Sequence, residues 1–325
     1  MSSLIVLCGE ARMINGVPLY LQRHPDGKLI AEKAIEGVYP EKYDRIVYSI
    51  LKETDDKYNV KNVIINELGK KYPVDVVILS EKTCGPAETA YLTLEIINID
   101  GEVAFRDSHN FIRIAHNCIG NFIAGLDLTT YDDTIDGLRT KSFITLNEQS
   151  QVLDVVEKRF CSDIISAGLY GFKEASDFVL AFEHLNDPNY GIKKLYLSHI
   201  ISYLIGYKRR IFHSVKTVFF EDWSTLSAWN KIQRHHSTCF LDLDEVCGGT
   251  IPFEESVVSA LKQISANGCV FVGYSKMAEL NKSMWINYLR NNMINIRDIV
   301  VGCTFSKSHI IIDRKEKLDE LTLKG

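Results

Sequence analysis

The chain has 325 residues, of which 46% are hydrophobic and 24% are charged, and its formal net charge is −5. This is the composition of a folded protein with room for two domains, and it excludes a chain that is disordered throughout. A weakly acidic chain also lacks the positive charge that attracts proteins to nucleic acid or to anionic membranes, so we expect neither partner.

The cysteines and the apolar segments indicate a compartment. The eight cysteines are scattered, and no two form a CxxC pair that would suggest zinc. The first residues, MSSLIVLCGE, lack the basic segment and the long apolar run of a signal peptide. Residues 195–207, the most apolar later stretch, are too few and too polar to cross a bilayer. We therefore expect a cytoplasmic protein with reduced thiols.

Predicted strands and helices alternate in the first third of the chain. Short apolar runs predict strands at 4–7, 44–50, 74–79 and 103–107, and periodic runs predict helices at 30–38 and 87–97. This alternation predicts an α/β fold with a mostly parallel sheet, which binds ligands at the carboxyl ends of its strands. Gly9, Gly85 and Asp107 follow or end three of these strands.

The rest of the chain predicts a change of pattern and then a second unit. Antiparallel strands are expected at 142–146 and 152–156, helix and loop at 187–215, and a strand at 217–220. The α/β pattern then restarts, with strands at 239–242, 269–273, 299–301 and 310–312 and helices at 257–266 and 283–291. We place the boundary at the polar residues 233–237, which predicts domains at 1–232 and 238–325.

Nucleotidyl transfer requires cations positioned around the phosphates, usually including a metal ion that is bound by carboxylates. Short motifs typical of that chemistry follow one another in the sequence: CGEAR (8–12), GVP (16–18) with PDGK (25–28), CGPAETA (84–90), RDSH (106–109), VEK (156–158), SAGLYGF (166–172) and EDWST (221–225). In this order they resemble the motifs of the sugar nucleotidyltransferase family, over residues 4–232.

The resemblance implies a GT-A-like Rossmann sheet and an enzyme that acts on a nucleoside triphosphate and a phosphorylated sugar, alditol or similar small molecule. The enzyme would release pyrophosphate and would bind Mg²⁺ between Asp107 and Asp222. It would act in the synthesis of surface polysaccharide (capsule) precursors. The residues that the resemblance assigns to the nucleotide and the acceptor are Gly9, Gly85, Pro86, Ala87, Asp107, Glu157, Lys158 and Gly168.

Departures from the family pattern concern its phosphate loop. Glu10 stands where a second glycine is expected, and a larger residue limits how closely backbone N–H groups approach phosphate. Leu19 stands where the family has a catalytic lysine, so the α-phosphate loses a cationic partner. The cations expected to compensate are Arg12, Lys28 or Arg23. His109 replaces the second acid of the family's D-x-D.

The segment FLDLDEV (240–246) carries two carboxylates, Asp242 and Asp244, at a predicted strand end. One carboxylate in such a pair can attack phosphorus while the other moves a proton. The segment resembles motif one of the haloacid dehalogenase-like (HAD) superfamily, and Ser275, Lys307 and Asp313 stand where its companion motifs belong.

The HAD resemblance implies a small α/β phosphatase domain without a cap, over residues 238–325. Asp242 would be the nucleophile and Asp244 the general acid/base, and Ser275 with Lys307 would hold the phosphate. A second Mg²⁺ would be held among Asp242, Asp244 and Asp313.

Structural interpretations of the same residues stay open. In these alternatives, Asp107 caps a turn, Asp222 is the acid at a helix N-terminus, and Glu157 and Lys158 form a surface ion pair. Three functions follow: a bifunctional enzyme, a nucleotidyltransferase with an inactive second domain, or a non-catalytic nucleotide-sugar sensor. The nucleotide base, the acceptor and a homo-oligomeric state are left open.

Overall fold

The chain folds into two units, Met1–Asn230 and Lys231–Gly325. The structure is a computed structural model that describes residues 2–9, 12–14, 16–131, 135, 137–235, 238–266, 269–277 and 279–302, with only the backbone at 234 and 235. Lys307, Asp313 and the strand expected at 310–312 lie outside the described residues, as does Glu10.

The first unit is built from strands and helices in alternation. Its strands are β1 (Ser3–Leu7), β2 (Met13–Ile14), β3 (Val17–Pro18), β4 (Arg45–Leu51), β5 (Val74–Leu79), β6 (Val103–Asp107), β7 (Asn110–Ile114), β8 (Phe122–Asp127), β9 (Ser142–Leu146), β10 (Val152–Glu157), β11 (Ile164–Phe172) and β12 (His213–Asp222). Its helices are α1 (Ile30–Glu36), α2 (Lys52–Tyr58), α3 (Val60–Leu68), α4 (Pro86–Ile97), α5 (Ala175–Leu185), α6 (Leu197–Gly206) and α7 (Leu226–His235), the last of which crosses the boundary between the units.

Ten of the described strands form one mixed sheet, in the order β5-β4-β1-β6-β11-β8-β12-β7, with β9 beside β11 and β10 beside β9. The strands β5, β4, β1 and β6 are parallel, whereas β11 is antiparallel to both β6 and β8. The predicted α/β fold with a mostly parallel central sheet is therefore confirmed. Because Leu7 pairs with Asp107, the carboxyl ends of β1 and β6 lie side by side.

The strand β1 shows why the centre of this sheet forms. All five of its residues are buried, as expected for a strand that is covered on both faces. Ile5 and Leu7 belong to one hydrophobic cluster, and Leu4 and Val6 belong to another. Successive side chains of a strand point to opposite faces, so a continuous apolar run packs both layers and orients the polar loop that follows it.

The structure adds elements that the sequence pattern did not predict. No element was assigned at 52–68, where the structure has α2 and α3, nor between 108 and 141, where it has β7 and β8. The glycine turn expected at 166–172 is part of the strand β11, whose pairing with β8 shifts between Ser166 and Tyr170. Gly168 lies inside that irregularity with a φ of +83°, so the turn geometry occurs within a strand as a local bulge.

The described part of the second unit is a parallel α/β layer. Its strands are β13 (Thr238–Asp242), β14 (Val270–Ser275) and β15 (Ile296–Val301), paired in that order, and its helices are α8 (Leu243–Cys247), α9 (Glu255–Ala266) and α10 (Lys282–Asn291). Leu241, Phe271, Trp285 and Leu289 are buried in its core. Within the ranges that the structure describes, no helix combines the length and the apolar character that crossing a bilayer requires.

Candidate functional site

A cavity of about 430 Å³ lies at the carboxyl end of the parallel strands β1 and β6. Its volume suits a small-molecule ligand. The predicted site residues on its wall are Gly9, Arg12, Gly85, Pro86, Asp107, Glu157 and Lys158. The folded chain thus collects side chains from motifs that are separated by nearly 150 positions in the sequence, as expected at this edge of an α/β sheet.

Some of the predicted residues lie off this wall. Ala87 is buried in the first turn of α4, and Gly168 lies behind Asp107. The ammonium of Lys28 contacts the carboxylate of Glu36, so the structure does not bring Lys28 to the cavity as the sequence analysis expected. Asp222 does not line the described part of the wall either, whereas Lys141, with which it pairs, does.

Asp107, the last residue of β6, is one of the two acids on the wall of the cavity among the residues that the structure describes. Burial raises the pKa of its carboxyl group to about 6, and the charges of Arg106, Lys141 and Arg12 oppose that rise. Among the described residues, no group donates a hydrogen bond to this carboxylate. A carboxylate that is desolvated in this way gains free energy when a cation binds to it.

The backbone around Asp107 is held by the buried guanidinium of Arg106. It donates hydrogen bonds to the carbonyl oxygens of Ala34 (2.8 Å), Gly168 (2.9 Å) and Asn110 (2.8 Å), and to Asn110 Oδ1 (2.6 Å). Burial lowers the pKa of Arg106 to about 10, so the group stays charged at neutral pH. Three chain segments are therefore fixed behind Asp107 by one side chain.

Gly168 has to be glycine for two reasons. Its φ of +83° is one that residues with a side chain rarely adopt, and a Cβ at this position would collide with the Asp107 carboxylate. The glycine that the resemblance assigned to the ligand therefore makes room for the acid that faces the ligand.

Lys141 is the site residue that sequence analysis missed. Its Nζ lies 3.1 Å from Asp222 Oδ2, and the two side chains are only 12% and 7% exposed. The other oxygen of Asp222 accepts a hydrogen bond from the backbone N–H of Ser224 at 2.8 Å. Lys141 belongs to none of the motifs, and no local signal in the sequence marks it, because its partner lies 81 positions away.

Hydroxyl groups surround Glu157, which lines the same cavity. The carboxylate of Glu157 accepts hydrogen bonds from Ser142 Oγ and from Ser198 Oγ, the latter at 2.6 Å. The ammonium of Lys158 contacts the hydroxyl of Tyr196 and lies 4.1 Å from the centre of that ring. Glu157 and Lys158 do pair, at 3.9 Å, but the Glu157 side chain is only 11% exposed and is held by two hydroxyl groups.

The phosphate-loop departures have structural consequences. Leu19 is 2% exposed and its N–H donates to the Arg12 carbonyl at 2.7 Å, so its position is part of the core. Arg23 pairs with Glu67 at 2.6 Å and is absent from the described wall, which leaves Arg12 as the expected cation that faces the cavity. Burial, with the charges of Lys141, Arg12 and Arg106, holds the pKa of His109 well below its usual range.

The side chains at the site show whether the expected Mg²⁺ could be bound there. Mg²⁺ commonly binds one or two carboxylates and completes its shell with water and substrate phosphates. Asp107, which has no described protein partner, fits that role. Asp222 as placed fits it less well, because its two oxygens accept from Lys141 and Ser224 and its side chain is absent from the described wall. Within the described ranges, no three His, Cys, Asp or Glu residues are grouped to hold a metal ion.

The second unit brings three of its predicted residues together at the ends of β13 and β14. Asp242 caps α8, and its Oδ1 accepts hydrogen bonds from the N–H groups of Asp244 and Glu245, both at 3.0 Å. The Asp244 carboxylate accepts from Ser275 Oγ and from the N–H of Lys276, both at 2.6 Å. Ser275 is fully buried.

Comparisons with known proteins were made for the whole chain. No protein-family model matches it, and no curated protein matches it by sequence. A nucleoside-diphosphate-sugar pyrophosphorylase from Vibrio cholerae RC9 matches 71% of this chain and 99% of its own, at 18% identity and a TM-score of 0.58. An inositol-1-phosphate CTP transferase from T. maritima matches 71% of this chain and 96% of its own, at 14% identity and a TM-score of 0.54.

A UDP-glucose pyrophosphorylase complexed with UDP-glucose gives a similar result, with 71% of this chain and 97% of its own chain covered, 12% identity and a TM-score of 0.53. The matched share agrees with the length of the first unit, Met1–Asn230. The first unit therefore has a nucleotidyltransferase fold, and at these identities the likeness establishes the fold alone. These matches give no support to a HAD-like second domain.

Proposed function

We propose that the first unit is a nucleotidyltransferase that joins a nucleoside triphosphate to a phosphorylated sugar, alditol or similar small molecule. The observation that carries the proposal is the cavity at the ends of β1 and β6, where Asp107, Arg12, Glu157 and Lys158 meet within a nucleotidyltransferase fold. A degenerate binding protein would not need a desolvated acid that is free of described protein partners and supported by the buried Arg106.

In the proposed reaction, a phosphate oxygen of the acceptor forms a bond to the α-phosphorus of the triphosphate. The bond from the α-phosphorus to the bridging oxygen breaks, and its electron pair leaves with pyrophosphate. Mg²⁺ held by Asp107 would neutralise part of the charge on the phosphates. Arg12 would contribute a positive charge on the same wall, which stabilises the same developing charge.

Two groups of residues on the wall suit the two substrates. Gly85 and Pro86 line the cavity at the start of α4, where the resemblance puts the nucleotide. Glu157, Ser198 and Tyr196 also line the cavity, and their carboxylate and hydroxyl groups can orient the hydroxyls of a sugar or alditol. Lys158 provides a cation there for the acceptor phosphate.

A screen for pyrophosphate release tests this proposal. Wild-type protein with MgCl₂ is combined with CTP, UTP, GTP or dTTP and a panel of phosphorylated sugars, alditols and inositols. We expect release with one combination, loss of that release in Asp107→Asn, and normal release in Asp56→Asn, which removes an exposed acid paired with Lys52. No release with any combination would favour the non-catalytic alternative, and equal release by Asp107→Asn would remove Asp107 from the mechanism.

We further propose that the product feeds the synthesis of surface polysaccharides such as capsule, as the family resemblance implies. We also propose that the functional domains are residues 1–232 and 238–325, with a HAD-like phosphatase in the second. The juxtaposition of Asp242, Asp244 and Ser275 supports this second activity. In it Asp242 would attack the phosphorus, Asp244 would move the proton, and Lys307 and Asp313 would complete the site.

Hydrolysis of p-nitrophenyl phosphate in MgCl₂ tests the second activity. Asp242→Asn is a sharp variant, because the asparagine oxygen can still cap α8 while the nucleophilic carboxylate is lost. We expect hydrolysis by the wild type and by the control Glu254→Gln, whose side chain is exposed, and none by Asp242→Asn. A wild type that does not hydrolyse the ester would favour a second unit that only binds phosphate or mediates assembly.

A further inference from the structure

We propose that Lys141 binds the triphosphate in the cavity and that Asp222 is a positioning residue that holds the Lys141 ammonium toward it. The inference rests on the proposed nucleotidyltransferase function and deepens it. It adds a phosphate-binding residue that no motif contains, and it gives Asp222 a role different from the metal ligand that the resemblance implies.

The position of Lys141 is the first support. Lys141 lines the cavity together with Arg12 and Asp107. The ammonium of Lys158 lies over the ring of Tyr196. Lys141 therefore offers its charge to a ligand in the cavity that Asp107 also lines, where the triphosphate is expected.

The way Lys141 is held is the second support. Its carbonyl oxygen accepts a hydrogen bond from the N–H of Lys158 at 3.1 Å, which anchors its backbone to the end of β10. Its ammonium has three N–H donors, and the hydrogen bonds within the described ranges use one of them, on Asp222; the ammonium also lies 5.8 Å from the centre of the Phe220 ring. A cation that is fixed before the ligand arrives stabilises phosphate charge without the cost of reorganising during the reaction.

The third support is where the predicted compensating cations lie. Leu19 is part of the core, and Lys28 and Arg23 are paired with Glu36 and Glu67, so that Arg12 is left on the wall of the cavity. Lys141, the residue before β9, adds a second positive charge to the wall that carries Arg12.

Calorimetric titration with inorganic tripolyphosphate in EDTA tests the binding role, because the probe carries the phosphates without base, acceptor or metal. We expect Lys141→Met to bind at least about tenfold more weakly than the wild type, which corresponds to about 1.4 kcal/mol at 25 °C. Lys141→Arg should recover part of the affinity, because it keeps the charge. Lys52→Met, which removes an exposed lysine from a 3.0 Å pair with Asp56, should bind like the wild type.

Removing Lys141 alone leaves the Asp222 carboxylate buried without its cation and threatens folding. The double variant Lys141→Met with Asp222→Asn avoids this, because the asparagine oxygen can still accept from Ser224. Folding of each variant is checked by thermal denaturation. Tripolyphosphate affinity in the folded double variant within twofold of the wild-type value would overturn the proposal.

A double-mutant cycle tests the role of Asp222. If Asp222 acts through Lys141, Asp222→Asn weakens tripolyphosphate binding in the wild-type background and has no further effect in the Lys141→Met background. If Asp222 is a metal ligand instead, Asp222→Asn raises the MgCl₂ concentration needed for half-maximal pyrophosphate release in both backgrounds. That second result would overturn the positioning role.

Failure of this inference and failure of the proposed function are distinguishable. Equal pyrophosphate release and equal tripolyphosphate binding by the wild type and Lys141→Met would reject the inference and leave the transferase standing. Tripolyphosphate binding that depends on Lys141, with no pyrophosphate release from any substrate pair, would reject the transferase and leave Lys141 as a phosphate-binding residue.

Discussion

Two sites in this chain place aspartates at the carboxyl ends of parallel strands, and the aspartates differ in state. In the first unit, Asp107 is desolvated, and no described group donates a hydrogen bond to it. In the second unit, Asp244 accepts hydrogen bonds from Ser275 and Lys276, and Asp242 accepts two from the start of α8. The same sequence pattern therefore produces two kinds of site. Asp107 has no described hydrogen-bond donor and would be stabilised by a cation, whereas Asp242 and Asp244 accept hydrogen bonds from the protein itself.

The difference teaches that the backbone scaffold, rather than the acid itself, decides which role an aspartate takes. Behind Asp107, Arg106 fixes three segments and Gly168 leaves space for the carboxylate, so the half-buried acid faces the cavity with no described hydrogen-bond donor. At the end of β13, the helix α8 begins at once and offers its own unpaired N–H groups to Asp242. The first variant should therefore replace Arg106, the residue that holds the backbone behind Asp107.

Arg106→Met should have the largest effect on stability. It leaves the carbonyl oxygens of Ala34, Gly168 and Asn110 without a donor, and we expect a loss of about 3–5 kcal/mol in the free energy of unfolding. Urea denaturation with hydrogen exchange followed at β6 measures it. Arg45→Met, which removes a pair with Asp75 at the surface, should cost less than about 1 kcal/mol. Equal losses of stability in the two variants would mean that Arg106 does not hold the backbone around Asp107 in place.

Asp107→Asn should have an intermediate effect on the free energy of unfolding, and it should stabilise the ligand-free protein rather than destabilise it. The pKa of Asp107 is about 6 in the folded chain and lies near 3.8 without burial. Between these values the folded chain binds a proton that the unfolded chain does not, so stability without ligand rises as the pH falls from 6 toward 4. At pH 8 the variant should exceed the wild type by on the order of 1–3 kcal/mol, because a buried charge is gone.

Thermal denaturation from pH 4 to pH 8 without ligand measures this difference. The excess stability of Asp107→Asn should shrink as the pH falls through 6. A variant that is less stable than the wild type at pH 8 would show that Asp107 is satisfied, as the acids of the second unit are. At MgCl₂ concentrations below saturation, pyrophosphate release by the wild type should also decline as the pH falls, because protons compete with Mg²⁺ for the Asp107 carboxylate.

Asp244→Asn should have the smallest effect of the three and should destabilise. The asparagine oxygen can still accept from Ser275, but its NH₂ group then faces the N–H donor of Lys276. We expect a loss of about 1–2 kcal/mol, measured by urea denaturation with hydrogen exchange followed at β14. Glu245→Gln, at the exposed pair with Lys276, should leave stability unchanged. A gain in stability from Asp244→Asn would remove the contrast between the two sites.

The sequence by itself determined the layered fold and the edge of the sheet where the cavity lies. The apolar runs 4–7 and 103–105 are buried on both faces, so their length and composition mark them as parallel strands, and Gly9 and Asp107 just beyond them mark the binding edge. The start of α4 after Gly85 was also predictable, because Pro at the first helical position is a local signal.

Only the tertiary structure decided the charges at the site. Lys141 and Asp222 are far apart in the sequence and meet because β9 and β12 belong to one sheet, whereas Lys28 is drawn to Glu36 and away from the cavity. The pKa of Asp107 depends on its burial and on cations from three separate segments. Strand patterns are local and are written in consecutive residues, whereas electrostatic partners depend on distances that exist only in the folded chain.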